Sequence, residues 1–314
     1  MQSDSPRTVV LGTGGTIAGK AADAVDNVGY RTGEIDVAGL VSAVAPLAKL
    51  PLEAEQVAQI DSKDMSHAVW RELALRCAHH LARAEVTGIV ITHGTDTLEE
   101  TAWFLQRALA PAKPLVLTAA MRPASALHAD GPQNLLDAVT VARTEGARGV
   151  VVALAGAVHG AADVRKLHSY RVDAFGSGEA GPIAVVEEGR LRCFRAWPDD
   201  AALLPRAALE VDAARWPRVE IVFSHAGAGP ALVEALVAQG VQGLVVAATG
   251  NGSVHAQLDA ALHEAQCAGV RVLRSTRCAF GAVVGDDAQA LQSAGALTPV
   301  KARIELMLEL MRSC

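Results

Sequence analysis

Aromatic side chains are scarce in this sequence: two tyrosines, four tryptophans and five phenylalanines amount to 4% of 314 residues. A core with so few rings must be built mostly from Ala, Val and Leu, which suits helices packed on sheets. The five cysteines (Cys77, Cys193, Cys267, Cys278, Cys314) are scattered, odd in number and never spaced as CxxC. That pattern argues against a disulfide framework and against a cysteine-rich metal site. No apolar run approaches the roughly 18 residues needed to cross a bilayer. Residues 1–8 are polar and lack a basic stretch followed by an apolar one, so no secretory leader is visible and the cytoplasm is the expected location. Basic clusters are missing too, and the net charge is −6, which excludes the phosphate-matching stripe of a nucleic-acid binder.

Several catalytic signatures are absent as well. The glycine-rich stretch Gly12-Thr13-Gly14-Gly15-Thr16-Ile17 has Ile17 where a dinucleotide fingerprint needs its last glycine, and no GK[ST] ending makes it a phosphate loop. The histidines show no HExxH spacing and there is no GxSxG elbow, so a metalloprotease-type zinc site and Ser-His-Asp hydrolysis both lose support.

What is present is an alternation of short apolar runs with helical patterns, the mark of an α/β protein. Strands are expected over 8–11, 57–60, 88–92, 115–118, 219–223, 243–247 and 270–274. The helix after Met65 is expected to bury Val69, Leu73, Cys77 and Leu81. The next opens at Thr97, whose spacing to Glu100 fits a capping box. Asp130 is a candidate cap for a helix starting at Gly131-Pro132, and Thr298-Pro299 opens a last helix presenting Ile304, Met307, Leu308 and Met311 inward. Between about 189 and 217 the pattern loosens around Trp197-Pro198, Pro205 and Trp216-Pro217. The division expected is a larger N-terminal α/β domain with a mainly parallel sheet (1–190), a linker (191–216) and a smaller parallel α/β domain (217–314).

Parallel sheets bind ligands at the carboxyl ends of their strands, so the loops following strands hold the candidates. Thr16 offers a hydroxyl on the first such loop, and the polar stretch 20–34, with Tyr30, reads as a lid. Thr92-His93-Gly94-Thr95-Asp96-Thr97 sits between a strand and a helix, where backbone N–H groups can meet an anion and Asp96 is either functional or a cap. His93, beside a glycine in a turn, reads as orienting rather than catalytic. Asp61-Ser62-Lys63-Asp64 can bind the charged ends of an amino acid or be a solvated loop. Lys166, drawn into a cleft, can serve as a base.

In this order the pieces resemble the bacterial-type L-asparaginase family. Residues 12–19 (GTGGTIAG) and 92–101 (THGTDTLEET) look like its two threonine signatures. Ala120-Met121-Arg122-Pro123, Ala129-Asp130-Gly131-Pro132, Asn134-Leu135, Gly250-Asn251-Gly252 and Ser275-Thr276-Arg277 match in order and spacing. The resemblance implies hydrolysis of L-asparagine to L-aspartate and ammonia without a cofactor or metal. Thr16 is then the nucleophile, Tyr30 its partner on the lid, and Thr95, Asp96 and Lys166 a second cluster. Ser62 and Asp96 would hold the substrate's carboxylate and amino group. Contact would extend to Gly15, Lys63, Gly94 and Ala120, and to Asn251 and Ser253, the last two offered by a neighbouring chain in a homotetramer of two intimate dimers. Two departures stand out. Lys63 is a cation where many members have a neutral or acidic residue. No glutamate follows Arg277 where many secreted members reach the partner's substrate, and Asp286-Asp287 is poorly spaced to replace it. A glutaminase-asparaginase and a catalytically weak amino-acid-binding module are the alternatives.

Overall fold

The computed structural model describes residues 5–285 and 291–312. The chain divides into two compact units, Met1–Ala202 and Leu203–Cys314.

The first unit is built on strands β1 (Arg7–Gly14), β2 (Leu52–Ile60), β3 (Val86–Thr92), β4 (Pro114–Thr118), β5 (Gly149–Leu154), β6 (Ala157–Gly160), the two-residue pair β7 (Arg165–Lys166) and β8 (Phe175–Gly176), β9 (Ala184–Glu187) and β10 (Arg190–Cys193). Eight of them form one sheet in the order β10-β9-β6-β5-β4-β3-β1-β2, and β7 pairs with β8 outside it. From β2 to β5 every pairing is parallel, and from β5 to β10 every pairing is antiparallel. Helices α1 (Val37–Ser42) and α4 (Gly131–Ala142) pack with Val10, Val90, Val116 and Val151 of the strands in one core cluster. Helices α2 (His67–Leu81) and α3 (Leu98–Leu109) pack on each other through Trp70 and Phe104, whose rings stack at 4.9 Å. Strands covered on both faces read as continuous apolar runs, which is why β1, β3 and β4 were legible; β5, equally buried and parallel to β4, was not expected, and β2, a half-exposed edge strand, was expected only over 57–60.

The antiparallel strands were not expected, and their turns explain why. Ala155-Gly156 joins β5 to β6 and Glu188-Gly189 joins β9 to β10; all four residues have positive φ. Such two-residue turns are normally announced by Asn-Gly or Asp-Gly; Ala and Glu at the first position gave no such signal. The stretch expected to be a linker from 191 therefore begins inside β10. In α2 the buried face is Trp70, Leu73, Ala74, Cys77 and Ala78, whereas Val69 and Leu81 are only half-buried. Strict i, i+4 steps overrun the helical period of about 3.6 residues, so a stripe drawn that way drifts off the core.

The second unit is a four-stranded parallel sheet, ordered β11 (Val219–Phe223), β12 (Gly243–Ala248), β13 (Arg271–Thr276), β14 (Gln292–Ser293). Helices α5 (Ala231–Ala238) and α6 (Ala256–Cys267) share a core cluster with Val222, Leu244, Val246 and Val272. Helix α7 (Pro299–Arg312) packs on β11, β12 and β13. Thr298 caps it as expected, its hydroxyl accepting from the Lys301 N–H at 3.4 Å. Ile304, Met307 and Leu308 are fully buried, and Met311, at the end, is half-exposed. Among the described residues no helix is long and apolar enough to cross a membrane.

Candidate active site

Three loops of the first unit meet at the carboxyl ends of β1, β2 and β3. The first turns at Gly15, whose φ of +82° suits glycine and whose N–H donates to the Ile60 carbonyl at 2.9 Å. A Cβ on Gly15 would lie 2.4 Å from the Gly94 backbone, and one on Gly94 would lie 2.4 Å from Ser62 Oγ. The glycines thus let Thr16, Ser62 and Thr95 approach one another; neither lines the pocket, so their part is close packing. Thr13 Oγ1 ties the first loop to the third by donating to the Thr92 carbonyl at 2.9 Å.

Thr16, Tyr30, Ser62, Thr95, Asp96 and Lys166 all line one open pocket of about 210 Å3. The Thr16 hydroxyl is 2.6 Å from the Tyr30 phenol oxygen. Across the pocket, Lys166 Nζ donates to Thr95 Oγ1 at 2.8 Å and to Asp96 Oδ1 at 2.6 Å. Both threonines are 7% exposed, held at the pocket wall and shielded from bulk water. Ser62 Oγ accepts from the Asp96 N–H at 3.1 Å, which leaves its own proton to donate into the pocket.

The expected capping box at Thr97 is not formed. Thr97 donates instead to the Ser62 carbonyl at 2.8 Å, stitching the second loop to the third. Asp130 precedes α4 but does not cap it with its side chain. Its carboxylate accepts from the N–H groups of Met121 and Arg122, at 3.0 and 2.9 Å, and fixes the loop after β4. Asn134 donates to the Ala119 carbonyl at 3.0 Å in the same loop.

The lid stretch is a closed loop, Lys20 and Arg31 exchanging backbone hydrogen bonds at its base. Asp26 shapes its tip by accepting from Val28 and Gly29, and those bonds hold its carboxyl below the ordinary aspartate range. Asn27 and Val28 from this tip line the pocket, as does Asp61 of the polar stretch after β2; Met121, Ser169 and Tyr170 line it too and were not expected there. Met121 was within reach, since it follows a strand's carboxyl end in a motif already noted. Ser169 and Tyr170 carry no local signal; they arrive because the β7–β8 hairpin folds over. Arg122 holds that hairpin, its guanidinium 4.1 Å above the Tyr170 ring and donating to the Tyr170 carbonyl at 2.8 Å.

Lys63 and Ala120 are not brought into the pocket wall. The Lys63 ammonium is held by Asp61 at 2.7 Å and Asp64 at 3.4 Å, and those carboxylates raise its pKa. Ala120 is fully buried, and its neighbour Met121 lines the pocket. Asn251 and Ser253 belong to the second unit, in the tight loop after β12. There the Asn251 amide exchanges two hydrogen bonds with the Val284 backbone, and Ser253 exchanges two with the backbone of Thr249. Asp286-Asp287 lies outside the described residues.

Because Lys63 already satisfies two acids, Lys63→Gln should leave kcat within about twofold and shift KM by no more than about threefold, through release of Asp61. A tenfold change in KM in steady-state assays would mean that the ammonium swings into the pocket when substrate binds.

His93 is wholly buried: Nδ1 is 2.7 Å from the Gly94 carbonyl, and Nε2 is 3.0 Å from Thr101 Oγ1, itself an acceptor from Trp70 Nε1 at 2.8 Å. Burial pushes its pKa down to about 4. A neutral ring donating from Nδ1 and accepting at Nε2 fits these partners, and its role is to brace the Gly94-Thr95 turn. Burial holds His159 at about 4 as well. A depressed histidine pKa contributes stability that is complete above the unfolded value and lost as pH falls toward the folded one. Each histidine should therefore withdraw roughly 2 kcal/mol between about pH 7 and about pH 5. Denaturant titrations across that range should show net proton uptake on unfolding, and His93→Gln should flatten the profile.

Residues 7–198 match the family model for the asparaginase N-terminal domain, and residues 218–313 match that for the glutaminase/asparaginase C-terminal domain. The chain is 37% identical to a probable periplasmic L-asparaginase of Haemophilus influenzae, covering 98% of this chain and 89% of that one. It is 35% identical to a glutaminase-asparaginase of Pseudomonas fluorescens, covering 97% and 86%. The crystal structure of a probable cytoplasmic L-asparaginase from Campylobacter jejuni superposes with a TM-score of 0.90 at 36% identity, covering 98% of this chain and 95% of that one. The chain is an enzyme that belongs to the asparaginase family.

Proposed function

We propose that the chain hydrolyses L-asparagine to L-aspartate and ammonia, with Thr16 as the nucleophile. The observation that carries this reading is the 2.6 Å contact between Thr16 Oγ1 and Tyr30 Oη, in the pocket that also holds Thr95, Lys166 and Asp96. A threonine hydroxyl is a weak nucleophile until a neighbour takes its proton. Tyr30 is placed to relay that proton, its Oη accepting from Oγ1 as the phenol gives up its own, while Oγ1 attacks the side-chain amide carbon. The resulting oxyanion is met by donors at the start of α3. The proton then passes to the nitrogen, ammonia leaves, and a β-aspartyl ester remains on Thr16. Water, oriented by Thr95 and Lys166, hydrolyses that ester. Asp96 and Ser62 hold the substrate's ammonium and carboxylate. At about 210 Å3 the pocket is smaller than the roughly 300–1,000 Å3 of sites for drug-sized ligands, which suits a single amino acid.

A broader glutaminase-asparaginase is the second reading, favoured by the likeness to the Pseudomonas protein. One methylene is worth only about 1–3 kcal/mol in a pocket, so the two substrates can differ by as little as tenfold. A pure binding module would have no need of a phenol hydrogen-bonded to a buried hydroxyl. The assembly is proposed to be a homotetramer of two dimers, and the location cytoplasmic, a reading supported by the name of the Campylobacter relative, probable cytoplasmic L-asparaginase. The deciding experiment measures ammonia release from L-asparagine and, separately, L-glutamine. Turnover of asparagine at least tenfold faster supports the first reading, parity supports the second, and no release from either overturns both.

A further inference from the structure

Lys166 stands on a strand of two residues that is not part of the main sheet. Its partner there is Phe175 in β8. In an antiparallel pair alternate N–H groups point away from the partner strand. The Lys166 N–H is such a group, and it is met by Glu99 Oε2 at 2.7 Å. Glu99 is in the first turn of α3, three residues after Asp96. The stretch from Thr95 to Glu99 therefore grips this lysine at both ends: Thr95 Oγ1 and Asp96 Oδ1 at the ammonium, Glu99 at the backbone.

We propose that Glu99 is a positioning residue, which fixes the Lys166 backbone against the start of α3 so that Nζ is held on Thr95 and Asp96. This inference rests on the reading of Lys166 under the proposed function. A lysine side chain has four rotatable bonds and about 2 kcal/mol of rotamer entropy, so anchoring its tip alone leaves its root free to drift. Anchoring root and tip to one helix start keeps the ammonium within the tolerance that a reacting geometry demands. The opposing view is that Glu99 only stabilises α3, since an acid is favoured in a helix's first turn. That view accounts for an acid at this position; it does not account for the carboxylate spanning to a backbone N–H 67 residues away.

The test compares Glu99→Ala and Glu99→Gln, each in the wild-type and Lys166→Met backgrounds, by kcat and KM for L-asparagine, with thermal midpoints recorded for all. Glutamine keeps a carbonyl acceptor for the Lys166 N–H and also loses the charge. Glu99→Ala should lower kcat by about tenfold or more with KM changed less than threefold, Glu99→Gln should recover most of that loss, and Glu99→Ala should add nothing further once Lys166 is Met. An unchanged kcat in Glu99→Ala overturns the proposal. So does an equal loss in Ala and Gln, or a loss in Glu99→Ala that persists in full in the Lys166→Met background. Full activity in Lys166→Met alone would instead overturn the role given to the lysine, and is read separately.

Discussion

Thr16→Ala will release ammonia from L-asparagine at least about a thousandfold more slowly than the wild type, with the fold intact. The size follows from the geometry. Removing Oγ1 removes the proposed attacking atom and the partner of the Tyr30 phenol together, and a thousandfold is about 4 kcal/mol of barrier at about 1.4 kcal/mol per decade. The structural cost is far smaller. One hydrogen bond is lost, worth about 1 kcal/mol net, and the phenol can rebind water in a pocket that is open. Thermal midpoint and rate should therefore separate cleanly. Tyr30→Phe keeps the ring and loses the hydroxyl proposed to relay the proton, so it should slow turnover by about a hundredfold, less than loss of Oγ1 itself. An acyl-enzyme gives the same assignment a second readout. Acid-quenched wild-type enzyme should carry an aspartyl ester on the peptide containing Thr16, and Thr16→Ala should carry none. Near-normal turnover in Thr16→Ala, or an ester found on Thr95, would move the nucleophile to the other side of the pocket.

Much of this arrangement was legible in the chain, for reasons particular to it. Strands β1, β3 and β4 are buried on both faces, so they stand out as apolar runs, and the loops after β1 and β3 carry polar residues that break those runs abruptly; β2 is a half-exposed edge strand, legible only over its last residues, 57–60. Thr16, Ser62, Thr95 and Asp96 could be picked out because each follows a strand's carboxyl end. Lys166 could not be placed that way. It comes after β6, on a two-residue strand outside the main sheet, so a lysine there was a weak candidate by itself and the resemblance to a family gave it its role. Residue identity also misled where a side chain had two possible partners. Thr97 and Asp130 have the right type and spacing to cap α3 and α4, yet both are spent on holding loops, to Ser62 in one case and to Met121 and Arg122 in the other. Spacing along the chain reports local competition for hydrogen bonds; it does not report which distant donors the fold delivers. Lys63 teaches the same point with charge: its neighbours Asp61 and Asp64 take up the ammonium before any substrate can.

Lys166→Met carries the second large effect, and it tests whether the far wall of the pocket works as one unit. Methionine keeps most of the stem's length and removes the ammonium. Asp96, 53% exposed, then faces water rather than a buried void, so the fold should lose little, as exposed ion pairs contribute about 0–1 kcal/mol. Catalysis should lose much more, about a hundredfold to ten-thousandfold in kcat, if the hydrogen bond to Thr95 Oγ1 at 2.8 Å is, as proposed, the means of polarising that hydroxyl. Thr95→Val, which removes the same hydroxyl from the other side, should cost a similar amount. If lysine and threonine act only through each other, the double variant should be no slower than the worse single one; residues that work as a unit are strongly non-additive. Independent roles would instead multiply the two losses. The division between the two walls should appear in pre-steady-state traces. If Thr95 and Lys166 orient the water that releases the acyl-enzyme, Lys166→Met should keep a rapid burst of ammonia from Thr16 attack and then turn over slowly, the aspartyl ester accumulating. Loss of the burst itself would place Lys166 in the first step, activating Thr16 across the pocket through the bound substrate.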